Sequence, residues 1–595
     1  MKDNRTPEEL MENVHSHIPD AFEQLKQGRV SRREFLRLAT LLGMSVGAAT
    51  ALAACGGAEP EPADEPEQEE EPESEAPQES DEPSESTEEP EPADTSGSIQ
   101  RGGTLVVGSS VPAIDHPARF AWIFDANQFR HVFEYLTETD KDNITHPYLL
   151  EKWEANDELT EWTLYLRKGI KWTNGDELVA DHVVFNFGEW LNPDVQSSIL
   201  GLWEGFLTMD GIEVVDDYTI KLNLDAPLLA VPEYLFHYPA QIMHPSFDGD
   251  ITSGKNPSTG PMVLDEYKVG EFTRVKRRED DGYWQMGEDG KPLPYLDAIE
   301  WVDLGDDQTA AVAAIQSGQI HNMYEPTVDT FLALRNDSNI VIEGLATANV
   351  RLLRVRVDQE PWDNEDVRNA FKMIQDREKI LDQAYFGEGI VGHDVHVCPV
   401  QPEFAPMDVP EYDPEGAKAL LEGAGFGDGL DVAISVGTGW TDIVAYAETL
   451  QEDGKAAGFN ITLDTMPNSA FWDLWDEATV AITPWTHRPL AVMLLPLAYI
   501  ADSSGDPVPW NESRWVDEEF TELLLKAQGL LDVEARREVM VDLQRVMQER
   551  GPVSVAYWRN VWNIRNPAFQ NMEAHPTNYN LWREVWYDPS KDPFA

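Results

Sequence analysis

The sequence predicts an α/β protein built on mixed sheets, and two observations carry that prediction. From residue 349 onward, apolar β-branched runs alternate with amphipathic stretches. The order is strand 349–357, helix 364–384, helix 414–424, strand 430–436, helix 443–457 and strand 460–465. Such alternation places helices over a sheet with parallel neighbours. Earlier in the chain, alternating runs such as "WTLYL" at 162–166 and "YTIKL" at 218–222 read as antiparallel hairpin strands. At 595 residues, with 42% hydrophobic and 10% aromatic side chains, the chain is long enough for several cores.

The N-terminal segment reads as an address. "SRREFLR" at 31–37 places Arg32 and Arg33 directly before a mild apolar run, 38–54, that is too short for a membrane span and fits a signal h-region. Paired arginines in that position resemble a twin-arginine export signal. The run ends "LAACG", which resembles a lipobox, with Cys55 the lipidated residue. Residues 56–98 follow with 18 Asp and Glu, no Lys or Arg and no large apolar side chain. Such a segment buries too little to fold and is stretched by its own charge, so it reads as a tether reaching roughly 140 Å at full extension.

Residues 99–595 form the body. "GTLVVG" at 103–108 opens it as a strand, a helical stretch follows at 126–137, and Asp181 is expected to cap a helix at 183–191. The formal net charge of the chain is -65, from 44 Lys and Arg against 109 Asp and Glu. Most of that excess lies in the body, because residues 1–54 are balanced and the tether holds only 18 acids. It argues against nucleic acid as a partner and for a strongly solvated surface. The two cysteines, Cys55 and Cys398, give no disulfide framework.

Several blocks of the body resemble the family 5 solute-binding proteins of ABC importers, the oligopeptide, dipeptide and nickel group. They are "RGGTLVVG" at 101–108, "WTLYLRKGIKWTNGDELVADHVVFNF" at 162–187, "STGPMVLDEYKVGEFTRVKRREDDGYW" at 258–284 and "LPYLDAIEWVDLGDDQTAAVAAIQSGQI" at 293–320. "DNEDVRNAFKMIQDREKIL" at 363–381 and "YDPEGAKALLEGAGF" at 412–426 complete the set. The resemblance implies a two-lobed periplasmic-binding-protein-like fold with an extra inserted domain. Lobe one would be discontinuous, 99–137 with 255–345 and 540–595; the inserted domain would span 138–254 and lobe two 346–539. It also implies lobes that close over a ligand.

Motifs of enzyme chemistry do not appear. There is no G-x-S-x-G elbow, no H-E-x-x-H pair and no P-loop. "GAGFG" at 423–427 follows a helix and reads as its C-terminal turn. His393, His396 and Cys398 in "GHDVHVCP" are donor types a metal accepts, but no fourth ligand is visible, and the reading is an ordinary loop. No cofactor is expected.

A cleft for a solute needs apolar walls and a few placed polar groups. The resemblance implies ligand contacts from loops that here contain Tyr324, Trp440 and "TPWTHRPL" at 483–490, with Trp485, Thr486, His487 and Arg488. Peptide-binding members often carry a tryptophan followed three residues later by an aspartate that pairs with the peptide's α-amino group. Aligned on Trp485, Arg488 occupies the place of that aspartate. A guanidinium there repels an ammonium and suits a carboxylate or phosphate. The competing reading is a structural ion pair between Arg488 and one of the abundant acids.

The function expected is a monomeric, extracytoplasmic receptor, lipid-anchored through Cys55. It would hand a small polar or anionic solute, or a peptide, to an ABC permease served by separate ATPase subunits. The alternatives are a surface ligand sensor or chaperone-like lipoprotein on the same scaffold without a transporter and, less favoured by the motifs, a secreted hydrolase.

Overall fold

Thr104–Gly108 (β1) buries Leu105 and Val107 completely, as the period-two alternation of a strand requires. The computed structural model describes residues 99–595 apart from 281, 306, 307, 502–504, 509 and 595. Arg32, Arg33, Cys55 and the acidic segment therefore lie outside the described residues.

A small hairpin of Thr137–Thr139 (β2) and Thr145–Pro147 (β3) is followed by Leu150–Ala155 (β4), Glu161–Leu166 (β5), Ile212–Asp216 (β6) and Thr219–Asn223 (β7). The last four make an antiparallel sheet of order β4-β5-β7-β6. Its buried Trp162, Leu164, Ile220 and Leu222 share a core with Val183, Phe187 and Trp190 of the helix Ala180–Leu191 (α1). Asp181 does not cap that helix. Val179 stands at the N-cap, and the Ala180 N–H is satisfied by the Asp217 carbonyl, so no side-chain cap is needed.

The large sheet begins with Met262–Lys268 (β8), Phe272–Arg277 (β9), Ala298–Val302 (β10) and Asn322–Met323 (β11). It continues with Val341–Val355 (β12), Gly389–Val391 (β13), Leu430–Gly437 (β14), Phe459–Met466 (β15), Val480–Trp485 (β16) and Val553–Arg565 (β17). Its order is β15-β14-β16-β12-β17-β11-β1-β10-β9-β8, with β13 alongside β17. β1 runs parallel to β10 and β11, and β14 runs parallel to β15 and β16; the other pairings are antiparallel, so the sheet is mixed. β12 and β17, 15 and 13 residues long, are the two strands that run through both halves. Their register slips between Ala346 and Asn349 and again between Val350 and Leu352, where the paired strands bend.

The stretch expected as one helix at 364–384 is two, Glu365–Met373 (α2) and Arg377–Tyr385 (α3). Asp376 restarts the turn by accepting from the Lys379 N–H, and buried Gln375 accepts from the Tyr446 hydroxyl instead of continuing the helix. The helix expected at 126–137 is the shorter Ile123–Phe129; residues 130–136 form turns and irregular chain that lead into β2. Pro414–Gly423 and Thr441–Ala457 (α4) match the periodicity closely. The divisions expected at 345/346 and 539/540 fall inside β12 and inside the helix Val533–Arg550.

Gly260 marks where the inserted segment rejoins the large sheet. Its N–H donates to the Val132 carbonyl at 3.0 Å, and a Cβ there would stand 2.3 Å from the His131 oxygen, which only glycine avoids.

Candidate functional site

Ligands of open α/β sheets gather beyond the C-terminal ends of the strands; here β11 runs opposite to β14 and β16, so their following loops leave opposite edges of the sheet. The C-terminal end of β11 carries Tyr324, that of β14 leads to Trp440, and β16 ends at Trp485 with Thr486, His487 and Arg488 beyond.

Trp485 is half-buried. Its indole N–H donates to Glu512 at 2.8 Å, and its ring meets His396 and Trp510 edge to face. Glu512 also accepts from Thr483 at 2.6 Å and from Arg354 at 2.9 Å. This buried carboxylate therefore fixes the indole while neutralising a fully buried guanidinium. Thr486 is exposed and accepts from Arg488 at 3.1 Å.

Arg488 makes no ion pair with any described residue. Its side chain donates only to Thr486 and to the neighbouring His487 carbonyl, at 3.0 Å. The titratable groups around it are the phenols of Tyr234, Tyr238 and Tyr579, and burial among them lowers its affinity for its proton. Neutral phenols do not compensate a desolvated cation.

His487 is turned away from any solute. It is 3% exposed, and both ring nitrogens are engaged. Nδ1 accepts from the Ala348 N–H at 3.0 Å, so Nε2 carries the proton and donates to the Asn143 side-chain oxygen at 2.8 Å. The His487 N–H donates to Asn349. Asn143, itself 3% exposed at a left-handed turn position between β2 and β3, donates to the Val400 carbonyl at 2.9 Å. The pair thus ties the β2–β3 turn to the bent part of β12. Burial pushes the His487 pKa well below 6.5, with His575 and Arg488 adding repulsion.

Tyr324 approaches the same phenols. Its ring stands edge-on to Phe124 at 5.7 Å, and Tyr579 and Tyr238 are among the groups it feels. Trp440 belongs elsewhere. Its ring lies against Gly437 and meets Phe471 and Trp472 edge to face at 5.5 and 5.7 Å, and no ring contact joins it to Trp485 among the described residues. The structure thus brings Tyr324 and Arg488 to one set of phenols and leaves Trp440 in a separate aromatic cluster.

Sequence reading missed the residues that face Arg488. Tyr234, His237 and Tyr238 come from "YLFHYP" at 234–239, an aromatic string that could have flagged them. Tyr579 is placed by Asn127, whose amide donates to the Asn578 carbonyl and accepts from the Asn580 N–H. Arg130, 5% exposed, lies with Cζ 4.0 Å from the Tyr579 ring centre and also faces Tyr135 and Phe236. Both its terminal nitrogens lack a hydrogen-bond partner among the described residues.

The triad at 393–398 is split among different partners. His396 bonds the Tyr499 hydroxyl at 2.7 Å, and the Cys398 thiol donates to the Thr347 carbonyl at 3.4 Å. Among the described residues no group of three or more His, Cys, Asp or Glu is arranged to hold a metal ion.

The model of the bacterial extracellular solute-binding proteins, family 5, matches residues 145–495. The glutathione-binding protein GsiB of Salmonella paratyphi A is 28% identical over 342 residues, 56% of this chain and 62% of that protein. The chain thus spans less than two thirds of that relative's length. The dipeptide-binding protein DppE of Bacillus subtilis is 23% identical over 484 residues, 76% of this chain and 85% of its own. Among solved structures, HbpA2 from Haemophilus parasuis superposes with a TM-score of 0.71 at 22% identity, covering 82% of this chain and all of that one. The unliganded open form of the murein tripeptide-binding protein MppA gives a TM-score of 0.70 at 19% identity, with 82% and 98% covered. With a match to more than half its length, the chain belongs to the family 5 bacterial extracellular solute-binding proteins.

Proposed function

We propose that this protein captures an acidic solute between its two lobes and delivers it to an ABC permease. The observation that carries this reading is Arg488, a desolvated guanidinium without a carboxylate partner among the described residues, held in a strongly acidic protein against three neutral phenols. A half-buried cation without an ionic partner is costly, and a bound carboxylate or phosphate offsets that cost with bidentate hydrogen bonds. The names of its relatives, a glutathione-binding and a dipeptide-binding protein, support a peptide or peptide-like solute. The inverted charge at Arg488 disfavours anchoring through a free amine. Export through Arg32 and Arg33, lipidation at Cys55 and the acidic tether at 56–98 would hold a monomeric receptor at the outer face of the membrane, within reach of the permease.

Native mass spectrometry of the purified protein tests the reading by identifying what it retains. Arg488→Gln is expected to weaken binding of an acidic solute by at least tenfold with little change in Tm. Unchanged affinity with lowered Tm would refute the site and leave Arg488 a structural residue.

A further inference from the structure

The end of β11 and the segment 573–582 enclose a pocket lined by Tyr324 and Tyr579. Asn322, Asn563, Asn580 and Trp582 form its buried polar wall. The hydrogen bonds decide what each side chain has left to offer. Asn322 Nδ2 donates to the Asn563 side-chain oxygen at 2.8 Å and to the Ile564 carbonyl at 3.0 Å, so both its N–H groups are spent and Oδ1 remains as an acceptor. Asn563 in turn donates to the Met572 carbonyl at 2.6 Å. Asn580 is held through its main chain, whose N–H donates to Asn127 at 3.1 Å. Its side-chain amide and the indole N–H of Trp582 have no hydrogen-bond partner among the described residues, although the two residues are only 7% and 5% exposed. This buried wall carries no charge. The two acids that line the pocket, Glu325 and Glu573, are exposed, and Glu573 is paired with Lys141 at 3.2 Å. His575 accepts from the Thr577 N–H and donates to the Thr139 carbonyl, so it is neutral.

We propose that this pocket is a subsite for a neutral amide, the N-acyl or carboxamide end of the solute whose acid end meets Arg488. The link to the acid end rests on the reading of Arg488 given above. Tyr579 lines the pocket and is also one of the phenols around Arg488, so both ends of one solute share a wall. The chemistry of the wall selects the amide. Its carbonyl accepts from the Trp582 indole and the Asn580 amide, and its N–H donates to Asn322 Oδ1. Met323 and Trp562 supply the apolar surface beside them. A free ammonium in the same place gives up its water and meets no buried carboxylate. A pocket whose buried donors and acceptors need partners discriminates strongly against a ligand that leaves them unpaired.

Calorimetry with three probes tests it. N-acetylglycylglycine and glycylglycine share the acid end and differ in an acyl against an ammonium end; the C-terminal amide of N-acetylglycylglycine removes the acid instead. The expected result is that N-acetylglycylglycine binds about tenfold tighter than glycylglycine, or more. Asn580→Leu and Trp582→Phe remove the hydrogen-bonding atoms and keep apolar bulk. Each should cut that ratio by about fivefold with little change in Tm. Arg488→Gln should weaken both acids alike and leave the ratio as it was. A ratio near one, a preference for glycylglycine, or a ratio unchanged in both pocket variants would overturn the amide subsite and leave the acidic-solute reading standing. Equal binding of N-acetylglycylglycine and its C-terminal amide would sink the acidic-solute reading, while a ratio that still falls in Asn580→Leu would keep the pocket. No binding of any of the three probes would overturn both.

Discussion

Replacing Asn143 with glycine isolates the contact of the β2–β3 turn with His487 and Val400. Asn143 has φ of 63°, a left-handed conformation that glycine adopts freely, so the substitution removes the amide without straining the turn. Two hydrogen bonds disappear, from His487 Nε2 to the Asn143 oxygen at 2.8 Å and from Asn143 to the Val400 carbonyl at 2.9 Å. The His487 N–H and the Val400 C=O are then left without these partners. Each such group costs about 1–3 kcal/mol where it is buried, so closure is expected to weaken by about 2–6 kcal/mol in total. On the proposed reading the contact forms only when the lobes close over a solute, so in the open form water would satisfy both groups and the cost would vanish. Because a solute bound between lobes needs closure, the loss passes into its affinity as a fall of roughly 30- to 20,000-fold. Calorimetry with the retained solute or an acid probe measures it, and small-angle scattering of the bound protein should show a larger open fraction. The Tm of the empty protein should change little. Affinity within threefold of the parent would refute the view that this contact holds the lobes together.

The same contact sets a pH dependence. The His487 pKa is depressed where the imidazole is buried against Asn143, so that contact is fully favoured above 6.5 and weakens as pH falls below it toward the depressed value. The closed fraction of His487→Gln should lose that dependence. Glu512→Ala strips the carboxylate from Arg354, Thr483 and Trp485, leaves a buried guanidinium unpaired, and should destabilise the protein by about 3–5 kcal/mol in denaturant unfolding. Gly260→Ala forces a Cβ against the His131 and Val132 carbonyls and should cost about 1–3 kcal/mol, read as a lower Tm. Cys55→Ser should release the protein from the membrane fraction, and retention there would refute the lipid anchor.

The α/β class was legible from residue order alone, because hydrophobic periodicity is a local property that tertiary packing seldom overrides over ten or more residues. The helix Pro414–Gly423 and the strand Leu430–Gly437 lie within a residue of their expected ends for that reason. Boundaries failed where a single side chain decided them, as when Asp376 restarted a helix that periodicity alone carries through 364–384.

The importance of the segment at 483–490 was likewise open to sequence reading, since charge inversion at Arg488 is a property of residue identity. What Arg488 and His487 each face was not. They are adjacent in the chain, yet one meets three phenols from "YLFHYP" and "NYN" and the other locks onto Asn143, 344 residues away. Residue identity and spacing fixed which elements form and which chemistry each can perform. Only the tertiary structure decided which side chains meet, because those contacts join segments hundreds of residues apart, and no local pattern encodes a partner at that distance.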